Sequence, residues 1–486
     1  MPIFARLALC AAFYWVAARS YGEISINEIL ADNKEVLHEG TISDWVEVYN
    51  PSGQAASLNG YSLTDSSANP RKWIFPTGVS VPATGFLVVH LDSSRPASAV
   101  NMTPLNTGFS IKGTGDRIEL YSPTSQLVES VRFGPQAIDY SMGRVRSGIG
   151  SFVLCSPTPG SPNLAQVLGP QAGLRINEWM ASPSSGKDWF ELYNPSTLPV
   201  QLSGLFFTDE GNTPSPVAPY SFIGTGVNGY VRFFADNSTN DNEATFKLGG
   251  GGDSVFLFAP GPAKIDGVSF GQQTADVSQG RLPDGTDSVK ELNTPTPGES
   301  NLIRYEGLVI NEVLTHTDPP LEDAVELYNQ TPLPIDISGW YLSNSRTDLK
   351  RYRLPNGSIV PAKGYFVLYE GQFNSAAAVT PFTFNAAHGD QVYLAQAAAN
   401  GDLTGYIVFE SFEAAENGAS FGRFETSVPG DYKFVAMQSP TFGVDNPATQ
   451  AEFRAGGGRL NSPPRVGPVV INEIMYNPPP AVDGSD

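Results

Sequence analysis

The sequence predicts an all-β protein built of tandem domains, each an antiparallel sandwich or barrel. Three observations predict it. Ile26-Asn27-Glu28-Ile29 returns as Ile176-Asn177-Glu178-Trp179, Ile310-Asn311-Glu312-Val313 and Ile471-Asn472-Glu473-Ile474, at spacings of 176−26=150, 310−176=134 and 471−310=161 residues. Each spacing matches an ordinary domain and exceeds the period of a solenoid repeat. Between the copies lie about seven to nine short apolar segments per repeat, parted by turn residues at roughly 8–12-residue intervals and without helical periodicity. Glycine (49) and proline (40) are abundant and charged residues make up only 16%, as expected where short strands are joined by tight turns.

Each repeat opens on the Ile-Asn-Glu strand, where apolar residues alternate (Ile24, Ile26, then Leu30) in the period-two pattern of a half-buried strand. The second strand is Asp44-Trp45-Val46-Glu47-Val48-Tyr49, matched by 188–193 and, loosened, by 323–328. Alternation puts Val46 and Val48 on one face, opposite Trp45, Glu47 and Tyr49, and Asn-Pro ends the run at 50–51 and 194–195. Repeat three has Ala324 in place of Trp and no proline after Asn329, which predicts an irregular second strand there. Glycine turns at Gly60, Gly204 and Gly339 lead into a third strand, and Gly-Asp pairs at 115–116, 252–253 and 389–390 into a later one. Ser-x-Gly-Arg follows at 141–144, 278–281 and 420–423. Repeats one and two close on Pro-Thr-Pro-Gly at 157–160 and 295–298, repeat three on the weaker Pro440-Thr441-Phe442-Gly443.

These motifs, in this order, resemble bacterial lamin-tail domains across three full copies and the start of a fourth. The resemblance implies tandem immunoglobulin-like β-sandwiches, used as accessory modules of exported proteins. The expected plan is a leader at 1–22, domains at 23–163, 174–301 and 308–446, a mobile Gly/Pro-rich linker at 447–468, and a truncated fourth domain at 469–486. Shorter linkers are expected at 164–173 and 302–307. The core is expected to include Ile26, Val46, Val48, Leu63, Val88 and Leu120.

The apolar run Leu7–Ala18 reads as a secretory signal peptide, shorter than the about 20 residues of a membrane span. A secreted or cell-surface protein follows, with no membrane span after processing. Cys155 is then the one remaining cysteine, excluding an internal disulfide; in its apolar strand it reads as a small core residue. A formal charge of −20 repels polyphosphate and excludes nucleic acid as a partner class.

Catalytic patterns are missing from the sequence. His38, His90, His316 and His388 do not stand at metal-ligand spacing, and there is no nucleophile elbow, phosphate loop or zinc-protease signature. The stretch 236–243 is rich in oxygen ligands, with Asp236, Asp241 and Glu243 as weak calcium candidates, but it lacks the sixth-position glycine of an EF-hand and has Lys247 at the twelfth position. A solvated loop is favoured. The polar residues kept by all three repeats are Glu28, Glu178 and Glu312; Glu47, Glu191 and Glu326; Asp116, Asp253 and Asp390; and Arg144, Arg281 and Arg423. A carboxylate drawn into the sandwich needs a partner, and an arginine fork suits it, so Arg144 is expected to pair with Glu28 or Glu47, and its sisters likewise. A charge-paired sandwich edge is favoured over a triplicated ligand site, and glycosidase chemistry without a cleft is disfavoured. The functional expectation is an exported, non-catalytic multi-domain scaffold or adhesion arm binding protein, carbohydrate or surface polymer through loops. The alternative is the accessory region of an exported hydrolase or spore-coat kinase-like enzyme whose catalytic domain lies beyond Asp486.

Overall fold

The computed structural model describes residues 24–209, 214–261 and 263–465. The expected leader at 1–22 and the fourth Ile-Asn-Glu copy lie outside these residues. Repeat one comprises β1 (Ser25–Leu30), β2 (Leu37–His38), β3 (Thr41–Ile42), β4 (Asp44–Tyr49), β5 (Ala56–Ser57), β6 (Ser62–Thr64), β7 (Trp73–Ile74), β8 (Ser80–Val81), β9 (Phe86–Leu91), β10 (Asp116–Tyr121), β11 (Leu127–Phe133), β12 (Ser141–Gly143), β13 (Val153–Ser156) and β14 (Leu164–Ala165). One sheet runs β14-β13-β12-β1-β4-β9 and the facing sheet β11-β10-β6-β7, both antiparallel, with β5-β8 and β2-β3 as small ribbons. Between the two sheets lies an apolar core containing Ile26, Ile29, Val46, Val48, Leu63, Val89 and Leu120. The other repeats follow the same plan: Arg175–Met180 pairs with Asp188–Tyr193 and Ser278–Arg281, and Leu308–Leu314 pairs with Ala324–Asn329 and Ser420–Glu425.

The opening strand is not a plain alternating strand. Ile26 pairs with Val48 but Glu28 pairs with Glu47, so Asn27 is an extra residue, a β-bulge. The same shift falls between Ile176 and Glu178 and between Ile310 and Glu312. The bulge re-phases the strand, placing Ile26 and Ile29 together in the core. Leu30 is turned to the other face, where it packs with Trp45 and Val88 in a separate small cluster. Val88 is therefore corrected from main core to this outer cluster, because it pairs with Glu47 while Val89 pairs with Val46.

The second strand of repeat three is regular, contrary to expectation. Ala324–Asn329 keeps full pairing with Leu308–Leu314 and with Tyr365–Tyr369. The space over Ala324 is filled by Phe442 and Phe453, which join Leu314 and Tyr369 in one buried cluster. Phe453 belongs to a helix, Gln450–Arg454, capped by Thr449, within the stretch expected to be a mobile linker. The stretch is held further by the ion pair of Arg454 with the buried Glu322. Its described part, 447–465, is thus a docked part of repeat three.

The two shorter linkers also carry structure. Leu164–Ala165 is the edge strand β14 beside β13, and Ile303–Arg304 pairs in parallel with Leu403–Phe412.

The chain divides into two compact units, one of Met1–Gly280 with Pro295–Glu299 and one of Arg281–Thr294 with Ser300–Asp486. Repeat one and the part of repeat two up to Gly280 therefore share a unit, and their contact is specific. Gly134 N–H donates to Pro219 O (3.0 Å) and Phe222 N–H to Pro135 O (2.8 Å), while the Phe222 side chain is buried in the core of repeat one. Among the described residues no helix is long and apolar enough to cross a membrane.

Candidate functional site

Glu28 and Glu47 face each other across β1 and β4, and both are fully buried. The closing segment lies over them. Thr158 donates to Glu28 through its backbone N–H (3.0 Å) and its hydroxyl (3.2 Å), and Ser141 adds a second hydroxyl. Glu47 accepts from Gly160 N–H (2.7 Å) and from the bulge residue, Asn27 Nδ2 (2.9 Å). Asn163 completes the closure by donating to Asn27 O (2.9 Å) and Arg144 O (3.0 Å). It lies against Gly143, where an added Cβ would come 2.4 Å from Asn163 Nδ2, which is why Ser-x-Gly-Arg needs its glycine. Burial pushes Glu28 up to about 7 and Glu47 up to about 8, against the opposing pull of these hydrogen bonds.

The arrangement recurs. Ser278 and Thr296 donate to Glu178, and Gly298 N–H donates to Glu191. Ser420 and Thr441 donate to Glu312, and Asn311 Nδ2 donates to Glu326 (2.6 Å). Burial raises Glu312 and pushes Glu326 up to about 9. Asn301 reaches Arg281 O (2.8 Å), and Asn461 reaches Asn311 O (3.1 Å) and Arg423 O (2.8 Å). The threonine-to-asparagine spacing is 163−158=5 and 301−296=5 but 461−441=20. Repeat three has therefore taken an insertion inside its closing segment and extends past the expected boundary at 446.

The expected pairing of Arg144 with Glu28 or Glu47 is corrected. Arg144 Nη2 bonds Glu129 Oε1 (2.6 Å) on the facing sheet, its Nη1 bonds Gly150 O (2.7 Å), and its guanidinium covers the Phe152 ring. Glu129 in turn accepts Ile26 N–H (2.7 Å) beside the bulge. Arg281 bonds Thr286 O (2.7 Å) and Asp287 (3.3 Å), and Arg423 stacks on Tyr432 at 3.7 Å. Hydroxyl and backbone donors already occupy Glu28 and Glu47, so the arginine serves the carboxylate beside the bulge. Asp116 behaves differently from the buried glutamates: it accepts Lys112 N–H (3.1 Å) and Arg117 N–H (2.9 Å) at the turn into β10.

The oxygen-rich stretch of repeat two is charge-compensated by protein cations. Lys187 bonds Asp236 (2.8 Å) and Glu243, and Arg132 of repeat one bonds Asp241. Cys155 is buried, and burial pushes its thiol up to about 12, so it is no nucleophile at neutral pH.

One constellation escapes sequence spacing. The β2–β3 hairpin turns at Glu39 (φ 47°) and Gly40 (φ 74°), the conformation of a tight two-residue hairpin. It brings His38 and Glu39 to His90 on β9: His90 Nε2 lies 3.6 Å and His38 Nε2 4.0 Å from Glu39 Oε2. The imidazoles stack with centroids 5.7 Å apart. Fifty-two residues part His38 from His90 (90−38=52), so only the fold unites them.

The paired sheets, recurrent bulge and closing segment define a tandem immunoglobulin-like β-sandwich protein. The lamin tail domain family model matches residues 17–135 and 304–408, so repeats one and three are lamin tail domains. Repeat two, outside both matches, has the same bulge and the same carboxylate closure. No curated protein and no solved structure matches the chain.

Proposed function

We propose that the chain is an exported, non-catalytic scaffold or adhesion arm whose loops bind protein or surface carbohydrate. One observation carries this reading: the carboxylates kept by all three repeats are occupied by internal donors, so what the repeats share serves the fold. Variation is left to the loops, where binding residues are usually found on rigid scaffolds. The loop between β9 and β10 exposes Val100 and Met102, and the corresponding loop of repeat three exposes Val379. Isolated exposed apolar residues are ordinary; their recurrence on one loop makes it the first to probe. The reading is tested by cosedimentation of the purified chain with insoluble peptidoglycan and by a glycan array, each repeated with Val100→Ser and Met102→Ser. Binding weakened by the loop changes supports it. Hydrolase or phosphotransfer turnover by the purified chain, or binding indifferent to every loop change, overturns it.

A further inference from the structure

We propose that His38, Glu39 and His90 form a zinc-binding site that clips the β2–β3 hairpin to β9. The donor set is two imidazole nitrogens and a carboxylate oxygen, which suits zinc among the divalent ions and is poor for calcium or magnesium, both of which favour oxygen cages. The three donor atoms lie within 4.8 Å of one another. Tetrahedral zinc with bonds of about 2.0–2.1 Å holds its ligand atoms about 3.3 Å apart, so closure requires a shortening of about 0.3 Å from the 3.6 Å His90 edge and about 0.7 Å from the 4.0 Å His38 edge. The His38–His90 edge, within 4.8 Å, has to close by up to about 1.5 Å on the same geometry, and His38 and Glu39, partly exposed at the hairpin, are the side chains that would turn to close it.

His90 is the anchor. Its side chain is 0% exposed, and Nε2, the atom facing Glu39, is buried without a hydrogen-bond partner. A buried polar atom left unpaired is costly, and a metal ion would satisfy it. The other ring nitrogen, Nδ1, is 2.8 Å from Ser43 Oγ, and the Nδ1–H tautomer donates to that oxygen and leaves the Nε2 lone pair for a metal. Such an outer contact is what orients metal-ligating histidines. The backbone is fixed too: His90 N–H donates to Leu105 O (2.9 Å) and His90 O accepts Thr107 N–H (3.0 Å). The surrounding charges are Arg95, which bonds Thr41 Oγ1 (2.9 Å) on the hairpin, and Asp92, whose negative charge opposes it at His90. With three protein ligands the fourth position is left to solvent or a partner's side chain, the pattern of an open zinc site.

The test uses the full chain made without a polyhistidine tag. Zinc binding is measured by competition with a chromogenic chelator, and geometry by the visible absorption of the cobalt(II) form. One equivalent of metal and tetrahedral cobalt bands are expected. His38→Ala and Glu39→Gln alter partly exposed side chains, so they keep the fold; each should weaken zinc at least tenfold, whereas His316→Ala should not change it. Zinc should also raise the melting temperature of the parent chain and fail to do so in His38→Ala. Zinc binding unchanged by both variants, or absent from the parent chain at micromolar zinc, overturns the proposal.

Discussion

Thr158 closes on Glu28 from 130 residues further along the chain, giving it both a backbone N–H and a hydroxyl. The contact ties the last segment of repeat one to its first strand, so the domain is complete only when its end returns to its beginning. Replacing Thr158 by Val keeps the shape and the N–H but removes the hydroxyl. Repeat one is expected to lose about 1–3 kcal/mol, the cost of a buried acceptor deprived of a donor. Thr441→Val should do the same to repeat three. Both are read from denaturant unfolding, and a loss below about 0.5 kcal/mol would mean that the hydroxyl contributes little.

The raised carboxyls set a pH dependence with a definite sign. Glu28 and Glu47 titrate at about 7 and about 8 in the folded chain, against 4.5 for an unperturbed glutamate. Between these values the folded state holds protons that the unfolded chain has released, so raising the pH favours unfolding. The contribution is fully present below about 4.5 and is lost as the pH climbs through 7 to 8, by on the order of a few kcal/mol. Repeat one should melt at a higher temperature at pH 5.5 than at pH 8.5, roughly three units of titration apart. Glu28→Gln with Glu47→Gln should flatten the difference, and a melting temperature that rises with pH in the parent chain would refute the assignment.

Arg144 and Glu129 form a pair in which both side chains are largely buried, at 13% and 5% exposed. Arg144→Met should take from Glu129 a charged partner, leaving it the Ile26 N–H among its contacts, and destabilise repeat one by about 3–5 kcal/mol. A double-mutant cycle with Glu129→Gln should show strong coupling, and one with Glu28→Gln should show much weaker coupling. The reverse pattern would restore the pairing expected from sequence.

Repeats one and two should unfold together. A Cβ on Gly134 would lie 2.1 Å from Ser221 Oγ and 2.8 Å from Ala218 Cβ, so Gly134→Val cannot keep the contact between the repeats. Calorimetry should show one transition for this unit in the parent chain and two in the variant. Two transitions in the parent would mean that the repeats behave as independent domains.

Much of the fold was legible because strand alternation and repeated motif order are local signals. The Asn27 bulge was not, since Ile-Asn-Glu satisfies the same alternation whether or not a residue is looped out. Glu28 and Glu47 were legible by recurrence, but their donors were not, because threonine and glycine in a Pro-rich turn read first as turn residues. Glu129 left no repeated signal: Asp266 accepts Ile176 N–H (2.7 Å) in the same role in repeat two, and no sister acid stood out in repeat three. Asn461 was hidden by the insertion, and the His38–His90 approach by a hairpin whose turn residues include an unremarkable glutamate.

The insertion in repeat three also accounts for that repeat's missing tryptophan. In repeat one Trp45 pairs with Leu30 and fills the outer cluster; at the matching place Ala324 pairs with Leu314, and Phe442 and Phe453 cover it. The helix is thus a replacement side chain delivered from elsewhere in the sequence, and Tyr369 secures it by donating its hydroxyl to Gly456 O (2.8 Å). Phe453→Ala should destabilise repeat three by about 3–5 kcal/mol and leave the transition of repeats one and two in place. Ala324→Trp should be damaging in the parent chain, where the space is taken, and less damaging in the Phe453→Ala background, where it is free. Limited proteolysis gives a second reading: the parent chain should resist cleavage at 447–461, and Phe453→Ala should admit it. Additive effects of the two substitutions, with 447–461 equally protected in both chains, would show that Phe453 and Ala324 do not share one cavity.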